Sequence, residues 1–236
     1  MTPDIQALQT GSSLQRDGLN HQAIEDYLKT IYILEQEESP VSTSRVAAAR
    51  NVQPGSATSM IQRLGKFNLV EYKKHRGVTL TESGREIALE VLRHHRLVEL
   101  YLMEALGFSW DEVHEQADIL EHVISEKLEE RMAAALNYPE FDPHGDPIPS
   151  KEGVMATVDN RPLATLRTGE SAVVSRIPDD ANGSLLRHLA DLGLVLGKRF
   201  TVSEIASIDG PMTLDIEGNE VVIDLNIARA VLVEKV

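Results

Sequence analysis

The 236-residue sequence predicts a mainly α-helical protein with some β structure: a winged helix-turn-helix, a helical body and a small, partly open β-barrel. Three observations carry this expectation. Between residues 21 and 67, three segments of helical period are separated by turn signals, and a basic hairpin pattern follows them. From Thr81 to Leu136, two long Pro-free stretches with helical spacing meet at Gly107. Beyond residue 150 the pattern changes to short strands with turn punctuation.

Composition narrows the function classes further. No apolar run approaches the ~20 residues that a bilayer-spanning helix needs, so no membrane partner is expected. The opening MTPDIQALQTGSSLQRDGLN lacks the basic start and apolar run of a secretory signal. Residues 1–20 read as a poorly ordered extension, and the cytoplasm is the expected location. With no cysteine, disulfides, zinc–thiolate sites and iron–sulfur clusters are excluded. A net charge of −14 argues on its face against nucleic acid, but its distribution argues for it. Between Val41 and Glu86 eight Lys and Arg stand against three Glu, a local +5; between Glu104 and Asp146 twelve acids stand against Lys127 and Arg131, a local −10. A basic module followed by an acidic one suits a DNA-binding head on a cation-binding body.

Taken in order, residues 21–37 place Ile24, Tyr27, Leu28, Ile31 and Leu34 at helical spacing, with Asp26 just off that stripe. Ser39-Pro40 is a break. Residues 42–50 predict a short helix capped by Ser42 or Thr43. NVQPG is a turn, and residues 56–67 predict the next helix, with Ala57, Met60, Ile61 and Leu64 inward. Strands at 69–72 and 78–81 flank the basic tip KKHRG, whose Gly77 can take the turn. Thr81 is placed to cap a long helix running to Leu106, with Glu82 near its positive end. His95 and Glu99 share one face of it at i, i+4. Asp111–Arg131, free of Pro and Gly, predicts one further helix finishing near Leu136. Prolines at 139, 143, 147 and 149 make residues 138–150 an extended connector. Strands at 171–176, 199–205, 212–216, 220–224 and 230–234, with a helix at 184–192, then predict the small barrel.

On the helix expected from Asp111, a turn of roughly 100° per residue brings His114, Asp118, Glu121 and His122 within an arc of roughly 100°. They border an apolar stripe of Val113, Ala117, Leu120, Ile124 and Leu128. Asp118, Glu121 and His122, at i, i+3 and i+4, can converge on one ion. The plain alternative is a solvated acidic face with two incidental histidines.

The segments EDYLKTIY, SATSMIQRLGKFNLVEYKKHRGVTLTESGREIA, RHHRLVELYL, DILEHVISEKLEERM and DPHGDPIP, in that order, resemble the diphtheria-toxin-repressor family of metal-dependent transcriptional regulators. They resemble its manganese-responsive branch more than its iron-responsive one. LRTGESAVVSRI and LLRHLADLGLVLGKRFTV likewise resemble the SH3-like (ferrous-transport-A-like) domain that ends longer members. The resemblance implies a winged helix-turn-helix over 21–84, a helical dimerisation and metal-binding domain over 85–150 and an SH3-like domain over 151–236. It implies a homodimer that binds double-stranded DNA at a near-palindromic operator and represses metal-uptake genes, with Mn²⁺ or Fe²⁺ as cofactor.

Carried over position by position, the resemblance implies a primary metal site of Asp26, His95, Asp118, Glu121 and His122. An ancillary site would draw on Glu99, Asp142, His144 and an acid of the barrel, Asp179, with Asp180 as its alternative. His114 matches an ancillary ligand of the iron-responsive branch. Three departures bear on this. Asp26 and Asp118 stand where iron-responsive members have Met and Cys, so the donor set is all oxygen and nitrogen, which suits Mn²⁺ and Fe²⁺. Lys29 replaces a Glu that helps some short manganese regulators hold a second adjacent ion, so a tight two-ion cluster is not implied. Ser59 replaces a DNA-facing Gln of iron-type members, so their operator sequence does not carry over.

In the DNA module, Ser56, Thr58, Ser59, Gln62 and Arg63 are placed to face the major groove, and Lys73, Lys74, His75 and Arg76 the phosphates. Two other classes compete with a metal-dependent regulator. A metallohydrolase would use the same Asp/Glu/His cluster, but the chain has no HExxH, phosphate loop or nucleophile elbow, so no enzyme is expected. A DNA-binding regulator of some non-metal signal would leave the acidic cluster as a solvated face.

Overall fold

In the computed structural model, which describes residues 20–177, 183–206 and 210–235, the first helix, α1, is His21–Glu35. It buries Ile24, Tyr27, Leu28, Ile31 and Tyr32, while Leu34, expected inward, stays partly exposed. Its last residue ties two later segments down: Glu35 accepts the Leu80 N–H through one oxygen and an Arg85 guanidinium N–H through the other, both at 3.0 Å. The second helix, α2, is Thr43–Ala49, and Ser42 caps it by accepting the Arg45 N–H. The third, α3, is Pro54–Lys66. It starts earlier than expected because Pro54 is preset for the first helical position and has no N–H to lose there. Ala57, Met60, Ile61 and Leu64 are buried, as their spacing predicts.

Strands β1 (Val70–Lys73) and β2 (Gly77–Leu80) pair antiparallel and form the wing. His75, with φ 65°, takes a left-handed position at the tip. Gly77 serves a different need from the turn expected of it. A Cβ there would lie 2.5 Å from the Val41 carbonyl oxygen, because Val41 and Val78 exchange both backbone hydrogen bonds at 2.9 and 2.8 Å. Only glycine permits that approach. The long helix α4, Glu82–Leu106, begins with Thr81 accepting the Gly84 N–H at 3.1 Å and ends at Gly107, φ 72°.

Two units divide the chain, Met1–Arg93 with Lys151–Gly153 and His94–Ser150 with Val154–Val236, so the division falls inside α4. In the second unit the single helix expected over Asp111–Arg131 is two: α5, Val113–Leu120, and α6, Glu126–Ala135. Ser125, in extended conformation, accepts the Leu128 N–H and starts α6 afresh. Side-chain capping by serine and the two β-branched residues before it, Val123 and Ile124, outweigh a continuous ladder. The expected apolar stripe is shortened accordingly. Val113 and Ala117 are buried, but Leu120 and Leu128 are exposed, together with Ile119 and Val123.

The C-terminal module is one antiparallel sheet of six strands. These are β3 (Arg161–Pro162), β4 (Ser171–Arg176), β5 (Arg199–Ile205), β6 (Met212–Ile216), β7 (Asn219–Ile223) and β8 (Leu232–Lys235). Their order is β3-β8-β4-β5-β6-β7, and register shifts in β4 and β5 curl the sheet. Helix α7 is Gly183–Asp191 and α8 is Leu225–Ala230. The expected strand 220–224 ends one residue early because Asp224 caps α8, a helix not anticipated. Phe200, Leu163, Ile177, Leu189, Leu194 and Met212 fill the core, against which Trp110 also packs.

Candidate metal centre

His95, on α4, is 1% exposed and lies at the meeting point of three segments of the second unit. Its Nδ1 is 2.5 Å from Glu121 Oε2 and 3.4 Å from Asp118 Oδ1. On the other side of the ring, Nε2 is 3.0 Å from Glu99 Oε1 and 3.2 Å from His114 Nδ1. His114 also touches Glu99 Oε1 at 3.1 Å and Asp118 Oδ2 at 3.8 Å. His122 Nε2 is 3.4 Å from Glu121 Oε1. The helix break therefore does not scatter the donors: Asp118 lies in the last turn of α5, Glu121 is its C-cap, and His122 follows. His94 supports the break, with Nδ1 3.1 Å from the Glu121 carbonyl and Nε2 3.5 Å from Glu129.

A second cluster adjoins the first. Glu99, Asp142 and His144, all buried, offer donor atoms within 4.8 Å of one another, as do His95, His114 and Asp118. Burial alone pushes the Glu99 carboxyl up, but the His95 charge and the hydrogen bonds of His114 and His95 outweigh it and hold it well below the usual range. Glu99 is thus ionised at neutral pH, the state a ligand requires. His144 Nε2 faces the Trp110 carbonyl at 2.9 Å. That oxygen can only accept, so the proton sits on Nε2 and the Nδ1 lone pair is directed to Glu99. The indole and imidazole rings stack, 6.0 Å between centroids.

These residues fit a divalent cation. Each donor is an oxygen or nitrogen, and the carboxylates of Glu99 and Glu121 are held at 0% and 1% exposure, where uncompensated negative charge is costly. Glu99 Oε2 has no hydrogen bond, and His144 Nδ1 stands 3.8 Å away. That gap is too wide for a hydrogen bond but is spanned by two metal–ligand bonds of roughly 2.1 Å each.

Of the other expected ligands, Asp26 belongs to the first unit, where Arg50 pairs with its carboxylate at 2.6 Å. Asp179 and Asp180 lie outside the described residues. Of the residues expected to face DNA, Ser56, Ser59, Gln62, Lys73, Lys74, His75 and Arg76 are exposed, and Arg63 and Thr58 are half-exposed. Thr58 turns its hydroxyl back to donate to the Pro54 carbonyl. Sequence reasoning missed Arg96, Asp146, Trp110 and His94. The first two carried a signal, being charged residues within the otherwise apolar helix face and the Pro-rich turn.

Comparison with known proteins agrees from residue 21 onward. Residues 21–78 match the iron-dependent-repressor N-terminal DNA-binding domain, 81–150 the iron-dependent-repressor metal-binding and dimerisation domain, and 161–235 the FeoA domain. The iron-dependent repressor IdeR of Mycobacterium tuberculosis is 34% identical over 224 residues, covering 90% of this chain and 96% of that protein. The diphtheria toxin repressor of Corynebacterium glutamicum is 29% identical over 221 residues, with the same coverages of 90% and 96%. A solved manganese-dependent transcriptional repressor in complex with manganese is 38% identical, with a TM-score of 0.83 over 90% of this chain and 100% of that one. The repressor ScaR with bound Zn²⁺ is 30% identical, TM-score 0.74, covering 90% and 99%. No helix among the described residues is long and apolar enough to cross a membrane. With an oxygen–nitrogen donor cluster, a winged helix and three domain models matched in order from residue 21 to 235, the chain belongs to the diphtheria-toxin-repressor family of metal-dependent DNA-binding repressors, in its long form with a FeoA domain.

Proposed function

We propose that this repressor responds to Mn²⁺ in the cytoplasm and, as a metal-loaded homodimer, shuts off metal-uptake genes at near-palindromic operators. The observation that carries the choice of ion is the sulfur-free donor set around the buried His95. The similarity to a manganese-dependent repressor supports it. Fe²⁺ is the second reading, favoured by the iron-dependent relative; selection between the two ions rests on geometry and cellular supply.

Asp26, His95, Asp118, Glu121 and His122 form the proposed primary set. Glu99, Asp142 and His144 form the ancillary one, with His114 bordering both and Asp179 as the further barrel ligand. A bound cation supplies the concentrated positive charge that lets these carboxylates stay ionised while buried. The protein's part is to hold them close, keep the imidazoles neutral at the ligating nitrogen and exclude water. Cation and operator then favour the same state of the dimer, so each tightens the other's binding. Two recognition helices, each presenting Ser56, Thr58, Ser59, Gln62 and Arg63, would enter successive major grooves about one helical turn apart.

Fluorescence anisotropy on the protein's own promoter-region DNA, at fixed salt, tests this with Mn²⁺, Fe²⁺ and EDTA. The expected result is tighter binding with Mn²⁺ than with EDTA; equal affinity in the two conditions would sink the metal switch. Lys73, Lys74 and Arg76 of the wing are proposed phosphate contacts. Replacing any one by Ala should lower the slope of log K against log salt by about 1, with little change in sequence preference. An unchanged slope removes that residue from the interface.

A further inference from the structure

Asp146 is fully buried, and one of its oxygens meets two guanidinium groups from different elements. Arg96 Nη2, from α4, lies 3.1 Å from Oδ1, and Arg176 Nη2, at the end of β4, lies 2.5 Å from the same atom. Arg96 also donates to the Pro147 carbonyl at 2.6 Å and sets its Nε 3.6 Å from Asp142 Oδ2. The backbone of this turn is held from the barrel as well. Ile177 N–H donates to the His144 carbonyl at 2.8 Å. Gly145, φ 86°, approaches so closely that a Cβ would lie 2.2 Å from the Ser175 carbonyl oxygen. Within the turn, Asp142 Oδ1 accepts the N–H groups of His144 and Asp146 at 2.8 and 2.9 Å.

We propose that Arg96, Asp146 and Arg176 form a positioning clamp through which the docked barrel preorganises Asp142 and His144 for a divalent cation shared with Glu99. The inference rests on the ancillary-site reading of those three residues. An arginine cannot ligate a cation, and Asp146 Oδ1 is already committed to two guanidinium groups. Their effect on metal therefore passes through the turn they hold. Asp142 and His144 lie four and two residues before Asp146, and the His144 carbonyl itself accepts the Ile177 N–H, so loosening β4 frees both ligands together. A ligand loop that must be ordered by the ion binds it more weakly than one ordered during folding. The barrel thus contributes to the centre by geometry, independently of any acid it donates.

Breaking a buried pair from the Asp146 side leaves charge uncompensated and risks the fold. Arg176, whose side chain is 34% exposed, is the safer position. The test uses full-length, chelator-stripped protein, titrated calorimetrically with Mn²⁺, and amide hydrogen exchange at Ile177 without metal. In Arg176→Gln, the tighter class of sites should be unchanged and the weaker class should lose about tenfold or more in affinity, the range seen when residues supporting metal ligands are removed. The Ile177 amide should exchange faster than in the wild type, and Arg176→Lys, which keeps the charge, should recover most of both effects. An unchanged weaker class, or equal weakening of both classes, overturns the clamp. A wild-type protein with a single class of sites overturns the ancillary-site reading itself, and the clamp with it.

Discussion

Glu121→Gln should abolish the Mn²⁺-dependent gain in operator affinity while leaving DNA binding in EDTA at the wild-type level. Glu121 is 1% exposed, with one oxygen 2.5 Å from His95 Nδ1 and the other 3.4 Å from His122 Nε2. It is the carboxylate on which the two imidazoles of the proposed primary set converge. The amide has the same shape and retains hydrogen bonding, so packing is preserved, but it removes the full negative charge that a divalent ion needs. Couplings between two ligands of one protein typically amount to about 5–150-fold in affinity. In the variant this factor should fall to about one. Anisotropy titrations with and without Mn²⁺ read it directly. A variant that still tightens on DNA as the wild type does would remove Glu121 from the switch.

Gly84→Ala should destabilise the winged-helix unit by on the order of 1–3 kcal/mol or more, against the usual sign of such a change. In a helix interior, exchanging glycine for alanine ordinarily stabilises by about 1 kcal/mol. At position 84 the new Cβ would sit 1.9 Å from the Leu69 carbonyl oxygen. That oxygen cannot move aside cheaply, since it accepts the Thr81 N–H at 3.1 Å while Thr81 Oγ1 donates to the adjacent Asn68 carbonyl. Gly65 in α3 is the internal control, because its nearest neighbour would be 3.7 Å away and substitution there should stabilise. Urea unfolding of both variants decides. If both shift the midpoint upward, the close approach at Gly84 is not what its identity serves.

Local period was enough to read the three helices and wing of the DNA-binding unit, because each element buries one face against its neighbours and carries its own start signal, such as Ser42 or Thr81. The donors His95, Glu99, Asp118 and Glu121 were also legible, since charged residues bordering a core-facing stripe are unusual. The helix break was not. Residues on either side of Ser125 keep nearly the same 3.6 spacing, so the pattern does not reveal that one capping hydroxyl resets the backbone. Nor could spacing show that Gly77 serves Val41, or that Asp142, His144 and Asp146 are buried. Their surroundings are supplied by β4, which lies some thirty residues further on. His114, which the resemblance offers as an ancillary ligand, touches His95, Glu99 and Asp118.

The turn Asp142-Pro143-His144-Gly145-Asp146-Pro147 alternates the proposed ligand and clamp side chains with residues of special backbone preference, two prolines and a glycine. Proline at 143 and 147 narrows the conformations open to the unfolded chain, each contributing about 0.4–1 kcal/mol where its preset φ suits the native fold. Gly145 alone needs a left-handed φ, and glycine adopts it without strain. The conformational entropy surrendered when this segment orders is therefore small. A cation binding at the proposed ancillary site would therefore meet a turn that costs little further ordering, and more of its interaction with the donors would appear as affinity.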